Sequence, residues 1–119
     1  MKTTGQPGPR TDAALSQAMD RLWVRFLPEI KARVAVLEAA VQAVGEGKLA
    51  AKQREAAQAA AHKLAGVLGT FGLTRGTVLA RELELTFARE SSPQRDAGAK
   101  LAEAARELRS IVESRKSSA

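Results

Sequence analysis

Ile30-Lys31-Ala32-Arg33-Val34-Ala35-Val36-Leu37-Glu38-Ala39-Ala40-Val41-Gln42-Ala43-Val44 is the stretch that decides the fold. Ile30, Val34, Leu37, Val41 and Val44 step by four and three, the rhythm of a helix that buries one stripe against other helices. Gly45-Glu46-Gly47-Lys48 stops it. The same periodicity recurs on both sides. Upstream, Leu15, Met19, Leu22, Trp23 and Phe26 follow helical spacing behind Asp12, a plausible N-cap, until Leu27-Pro28 interrupts. Downstream, Leu49 to about Gly69 predicts a helix with Leu49, Ala56, Ala57, Ala60, Leu64, Val67, Leu68 and Phe71 inward. After a turn at Gly72, Thr74 is the expected N-cap of a helix burying Leu79, Ala80, Leu83 and Phe87. Val78 and Leu85 fall outside that stripe, as side packing or as an apolar docking strip. Ser92 and Pro93 are the expected cap and first residue of a last helix with Ala97, Leu101, Ala104, Leu108 and Ile111 inward.

These segments and their short loops predict an all-α protein, an antiparallel four-helix bundle with a short extra N-terminal helix capping one end. Residues 1–11 read as a disordered lead-in, 12–113 as the bundle and 114–119 as a frayed tail. The composition agrees: of 119 residues 45% are hydrophobic but only 3% aromatic, a core of Ala, Leu and Val. With no cysteine and one histidine, disulfides, thiolate sites and a multi-histidine metal centre are excluded. The polar N-terminus lacks the apolar core of a signal peptide, and no run approaches a membrane span, so a cytoplasmic protein is expected. The net charge of +6 is scattered among acidic residues, without the clustered stripe and interleaved aromatics of a nucleic-acid binder.

The one histidine, His62, is the candidate site. It lies about 200° round the helix from Leu64 and from Ala60, away from the apolar stripe. Gln58, Ala59, Ala65, Gly66 and Gly69 are read as its neighbours on the exposed face, four of them Ala or Gly. A lone histidine is often only a solvated side chain. Glycine in a helix interior, however, costs about 1 kcal/mol relative to alanine. Two of them within two turns need a reason: close approach by a partner, or tight packing on a neighbouring helix. No nucleotide-binding glycine loop and no nucleophile–base–acid arrangement is present. An imidazole can still act as a nucleophile that carries a phosphoryl group, given an unprotonated nitrogen and nearby cations. Lys63 is adjacent in sequence but about 100° round the helix.

His62-Lys63-Leu64-Ala65-Gly66, then Phe71-Gly72 and Leu83-Glu84, resembles the histidine-containing phosphotransfer (HPt) domain over about residues 12–112. The run Leu22 to Ile30 is similar to one subgroup. The resemblance implies a helical bundle with His62 exposed on a middle helix. His62 would take a phosphoryl group from an aspartyl-phosphate on a response-regulator receiver domain, free or within a hybrid histidine kinase, and pass it to another. It implies a carrier rather than an enzyme with its own ATP site, no cofactor in this chain, a divalent metal supplied by the receiver, and a monomer. Gly66, Gly69, Ala59 and Ala65 would give access, with Gly72 closing the helix. The family commonly has lysine three residues after the histidine, where this chain has Ala65. Lys63, Gln58 or Arg81 are the candidates to contact the phosphoryl group or the partner instead. The rival reading is a helical adaptor that binds receivers or other partners through the same patch without phosphorylation.

Overall fold

The computed structural model describes residues 9–89 and 97–115, and side chains from residue 12. The described residues form four helices: α1 (Pro9–Gly45), α2 (Ala51–Thr70), α3 (Thr74–Ala88) and α4 (Gly98–Ser114). α1 packs on α2 and α4, and α3 packs on the same two, with no diagonal pair in contact among the described residues. The cross-helix contacts run in opposite directions along neighbouring helices. Gly98 approaches Gly45 while Arg115 meets Asp20, and Arg54 meets Phe87 while Ala65 meets Thr77. The bundle is therefore antiparallel at both interfaces.

The separate short N-terminal helix is not present. Its residues are the first half of α1, which runs unbroken for 37 residues with Pro28 inside it. Proline removes one main-chain donor and crowds the carbonyl four residues back, a cost of about 3 kcal/mol in a helix interior. Pro28 is on the solvent side, whereas Trp23, Ile30, Val34 and Leu37 on either side of it are all buried. Burial along one face thus holds the helix together where local chemistry would break it. Asp12 lies in the first turn of α1 rather than capping it. The upstream repeat is also only half right: Trp23 is buried, but Leu15, Leu22 and Phe26 are exposed.

The expected stops are found, and for the expected reason. Gly47 (φ 68°) and Gly72 (φ 73°) adopt the left-handed conformation that favours glycine. At the first, Lys48 N–H donates to the Ala43 carbonyl (2.8 Å) and Gly47 N–H to that of Val44 (3.0 Å). At the second, Leu73 N–H donates to Leu68 (2.9 Å) and Gly72 N–H to Gly69 (3.0 Å). Both are Schellman ends, with the paired bonds that satisfy terminal carbonyls. Leu73 then serves at once as the N-cap residue of α3, so Thr74 is the first helical residue and not the cap. The proposed Ser92–Pro93 start of the last helix lies outside the described residues.

Ile30, Val34, Leu37, Val41 and Val44 are all buried, as are Leu79, Ala80, Leu83 and Phe87. The inner faces of the other two helices are rotated from the expected ones. On α4 the buried line is Gly98, Leu101, Ala105, Leu108 and Val112, with Ala104 and Ile111 at its edge. On α2, Ala56 is exposed while Ala61 and Ala65 are buried with Ala57, Ala60, Leu64 and Leu68. That turns the buried face of α2 by roughly 60° towards α3. Two bidentate pairs fix the register of α4: Arg109 with Glu38 of α1 (2.5 and 2.8 Å) and Arg75 of α3 with Glu107 (2.7 and 3.1 Å). Arg115, expected in a frayed tail, is held instead. It pairs with the buried Asp20 (3.2 Å) and lies over the rings of Trp23 and Phe71, 5.1 and 5.3 Å from their centroids.

Candidate functional site

His62 is on the solvent side of α2 near its middle, and its side chain is 71% exposed. Its Nδ1 is 2.8 Å from Oε2 of Glu84 on α3, a side chain 21% exposed. A carboxylate only accepts, so Nδ1 carries the hydrogen in this contact. In the neutral ring the lone pair is then on Nε2, the nitrogen not engaged by α3. Glu84 thus selects one tautomer and fixes the plane of the ring, as a carboxylate does for other nucleophilic or ligating histidines.

The contact depends on how α2 and α3 are clamped. On one side of it, Arg54 Nη1 donates to the Phe87 carbonyl (2.7 Å). On the other, Thr77 Oγ1 donates to the Ala65 carbonyl (3.2 Å). Each bond joins a side chain to the opposite helix's main chain, so both resist sliding and rotation. Small residues let the two backbones approach: Ala61, Ala65 and Gly76 are all buried. A methyl group on Gly76 would fall 3.0 Å from Leu68 Cδ1 and 3.4 Å from Ile111 Cγ2.

The glycines near His62 divide between the two reasons open at the level of sequence. Gly66, one turn beyond His62, is exposed and a Cβ there would meet nothing within 4 Å. No packing among the described residues calls for its lack of a side chain. Gly69 is also exposed, but a Cβ there would make ordinary contact with Thr77 Oγ1 at 3.4 Å. Ala59 is exposed and Gln58 half-buried. Ala65 corrects the sequence reading: it is 2% exposed, turned into the α2–α3 interface and not towards His62.

Lys63 and Arg81 are exposed, Arg81 one turn before Glu84 on α3. Among the described residues the structure brings only Glu84, and none of Lys63, Gln58 and Arg81, into hydrogen-bond contact with His62. No cluster of three or more His, Asp or Glu side chains able to hold a metal occurs among them either. Glu84 is the residue that sequence reasoning missed. It lies 22 positions from His62, and its place in the Leu83-Glu84 pair was the only signal for it.

A histidine presented in this way on a four-helix bundle defines a class of protein, and the comparisons agree. The family model described as "Hpt domain" matches residues 21–117, and the chain belongs to that family. Its members are phosphoryl carriers of two-component phosphorelays that interact with receiver domains, and are not kinases. Over 66 residues the chain is 38% identical to Protein RcaC of Microchaete diplosiphon, a match covering 56% of this chain and 10% of that protein. The chain thus aligns with a small part of a much longer relative. No solved structure matches it. No described helix is long and apolar enough to cross a membrane.

Proposed function

We propose that His62 is the phosphorylated residue of this Hpt domain, taking a phosphoryl group from an aspartyl-phosphate on a response-regulator receiver and passing it to a second receiver. The observation that carries this reading is the exposed imidazole with Nδ1 held by Glu84 and Nε2 without a hydrogen-bond partner among the described residues. Nε2 donates its lone pair to phosphorus as the phosphorus–oxygen bond to aspartate breaks, and the departing electron pair restores the aspartate carboxylate. No proton need move. The ring, now substituted at Nε2 and protonated at Nδ1, carries positive charge that the Glu84 carboxylate offsets. The reverse step returns the phosphoryl group to another aspartate by the same path.

The receiver, free or as part of a hybrid kinase, would supply the acidic pocket and the divalent metal. Gly66 and Ala59 leave room for its loops. With Ala65 buried, Lys63 and Arg81 are the cations available to the phosphoryl oxygens. A cytoplasmic location goes with this role. The test is intact mass after incubation with phosphorylated receivers, wild type beside His62→Gln. One acid-labile phosphoryl group on wild type only is expected. A phosphoryl group retained on His62→Gln would end the assignment. The second reading is a receiver-binding adaptor, whose signature is receiver binding without phosphorylation and indifferent to His62→Gln; among the described residues no cation is in hydrogen-bond contact with His62.

A further inference from the structure

Lys63 and Arg81, the two exposed cations beside the site, lie on opposite sides of His62. α3 packs on one flank of α2. The α2 groups it meets, the Ala65 carbonyl and the Arg54 side chain, belong to residues about 60° and 80° round the helix from His62 in one sense. Lys63 is about 100° round in the other sense. We propose, on the relay reading above, that Lys63 is the catalytic cation of the site: its ammonium binds the oxygens of the phosphoryl group on Nε2 of His62, and Arg81 does not.

The held ring decides between the two cations. The bonds that leave the two nitrogens of an imidazole diverge widely, because a ring carbon separates them. With Nδ1 turned to Glu84 on α3 (2.8 Å), the bond that forms at Nε2 points outward and away from α3. The phosphoryl group is thus carried over the other flank of α2, and Arg81 is left behind it. Ala59 and Gly66 lie between His62 and Lys63 around the helix, one turn before His62 and one turn after it. Ala59 is exposed, and a Cβ on Gly66 would meet nothing within 4 Å. No α2 side chain larger than a methyl group therefore stands between imidazole and ammonium. Consecutive helix residues diverge, so Lys63 does not face the bare ring. A phosphoryl group extends the ring on this side and brings its oxygens within the sweep of a four-carbon stem.

The two cations also differ in freedom. The residues three and four away from Lys63 on α2 are Ala59, Ala60, Gly66 and Val67, none of them acidic, and Lys63 has no hydrogen bond or ion pair among the described residues. Arg81 has Glu84 three residues on, a carboxylate at the spacing that attracts a guanidinium along a helix. Lys52 shares the flank of Lys63 but is nearly three turns before His62. During transfer the Lys63 ammonium donates hydrogen bonds to the phosphoryl oxygens as the bond from Nε2 to phosphorus forms and the phosphorus–oxygen bond to aspartate breaks. It neither gains nor loses a proton, and it serves the return step from the same place.

Two measurements test the contact and separate it from the relay reading. Phosphoramidate phosphorylates an exposed histidine without any receiver, and His62 is the one histidine in the chain. On that product the side-chain ammonium signal of one lysine should shift and sharpen in nitrogen NMR as its exchange with water slows. Lys63→Gln, at an exposed position, should remove that signal and leave the helical spectrum unchanged. Single-turnover transfer from a phosphorylated receiver at saturating concentration should be about ten-fold slower in Lys63→Gln, the size expected of a charge-assisted hydrogen bond open to water. Lys63→Arg, which keeps the charge, should recover most of the rate. No change in any lysine signal on phosphorylation would overturn the proposal. So would a saturated rate equal in wild type and Lys63→Gln, a loss that saturation with receiver abolishes, or a loss in Arg81→Ala with none in Lys63→Gln; each of these leaves the relay reading intact. A phospho-His62 that shifts the Lys63 signal, yet neither receives from nor gives to any receiver, would overturn the relay reading and leave the contact in place.

Discussion

Glu84→Ala is the sharpest test of how the site works. The substitution removes the acceptor for Nδ1 without opening the core, because Glu84 is at the edge of the α2–α3 interface. A hydrogen bond to a charged group contributes about 1.5–3 kcal/mol when shielded from water. The imidazole here is 71% exposed, so water replaces part of what is lost and about 1 kcal/mol remains. Expressed on the transfer step, that is roughly a five-fold slower phosphorylation of His62. Glu84→Gln keeps an acceptor and loses only the charge, and should fall between the two. Rapid-quench single-turnover transfer from a phosphorylated receiver measures the rates. Because His62 is the chain's one histidine, nitrogen NMR reads its tautomer without assignment, and Glu84→Ala should lower the fraction protonated at Nδ1. Wild-type transfer together with a wild-type tautomer in Glu84→Ala would refute the reasoning.

Other outcomes follow from the same geometry. Gly66→Ala should stabilise the fold by about 0.5–1 kcal/mol in denaturant titration, since a Cβ there meets nothing and alanine is the better helix former, yet weaken receiver docking. Gly98→Ala should do the opposite, costing about 1–3 kcal/mol with docking intact, because its Cβ would lie 3.0 Å from Gly45 Cα, a backbone atom that cannot swing aside. Arg115→Ala should lower stability by about 2 kcal/mol, since it removes a cation from the buried Asp20, and should shift the emission of Trp23. Glu107 is held below the ordinary carboxylate range, first by its hydrogen bond from Arg75. Its contribution to stability is present above the unfolded-state value and lost as pH falls through the lower folded-state value. Glu107→Gln should therefore flatten the acid limb of a melting-temperature profile.

What could be read from the sequence was set by local chemistry. The Ile30–Val44 stripe and the two glycine stops were legible because helix periodicity and left-handed backbone are properties of a few adjacent residues. Pro28 misled because its local cost is real but is outweighed by burial on both sides, which only the assembled bundle supplies. Ala65 misled for a related reason: alanine suits an exposed face and a tight interface equally well, and the turn of α2 towards α3 decides between them. The exposure of His62 could be read alone, from its direction on the helix, although Ala65, read as one of its bare neighbours, is buried. Glu84 could not, since its partnership with His62 exists only once Arg54–Phe87 and Thr77–Ala65 have set one helix against the other.

The placement of the site on α2 and α3 bears on when it forms as the chain folds. These helices are joined by a turn of three residues, Phe71 to Leu73, and their shared contacts span short stretches of chain. Closing so short a loop costs little entropy, and contacts of low sequence separation form early. The α1–α4 interface, by contrast, joins residues as far apart as Asp20 and Arg115. The hairpin bearing His62 and Glu84 can thus be in register before the ends of the chain have met, and the turn at Gly72 governs the rate at which the imidazole finds its carboxylate.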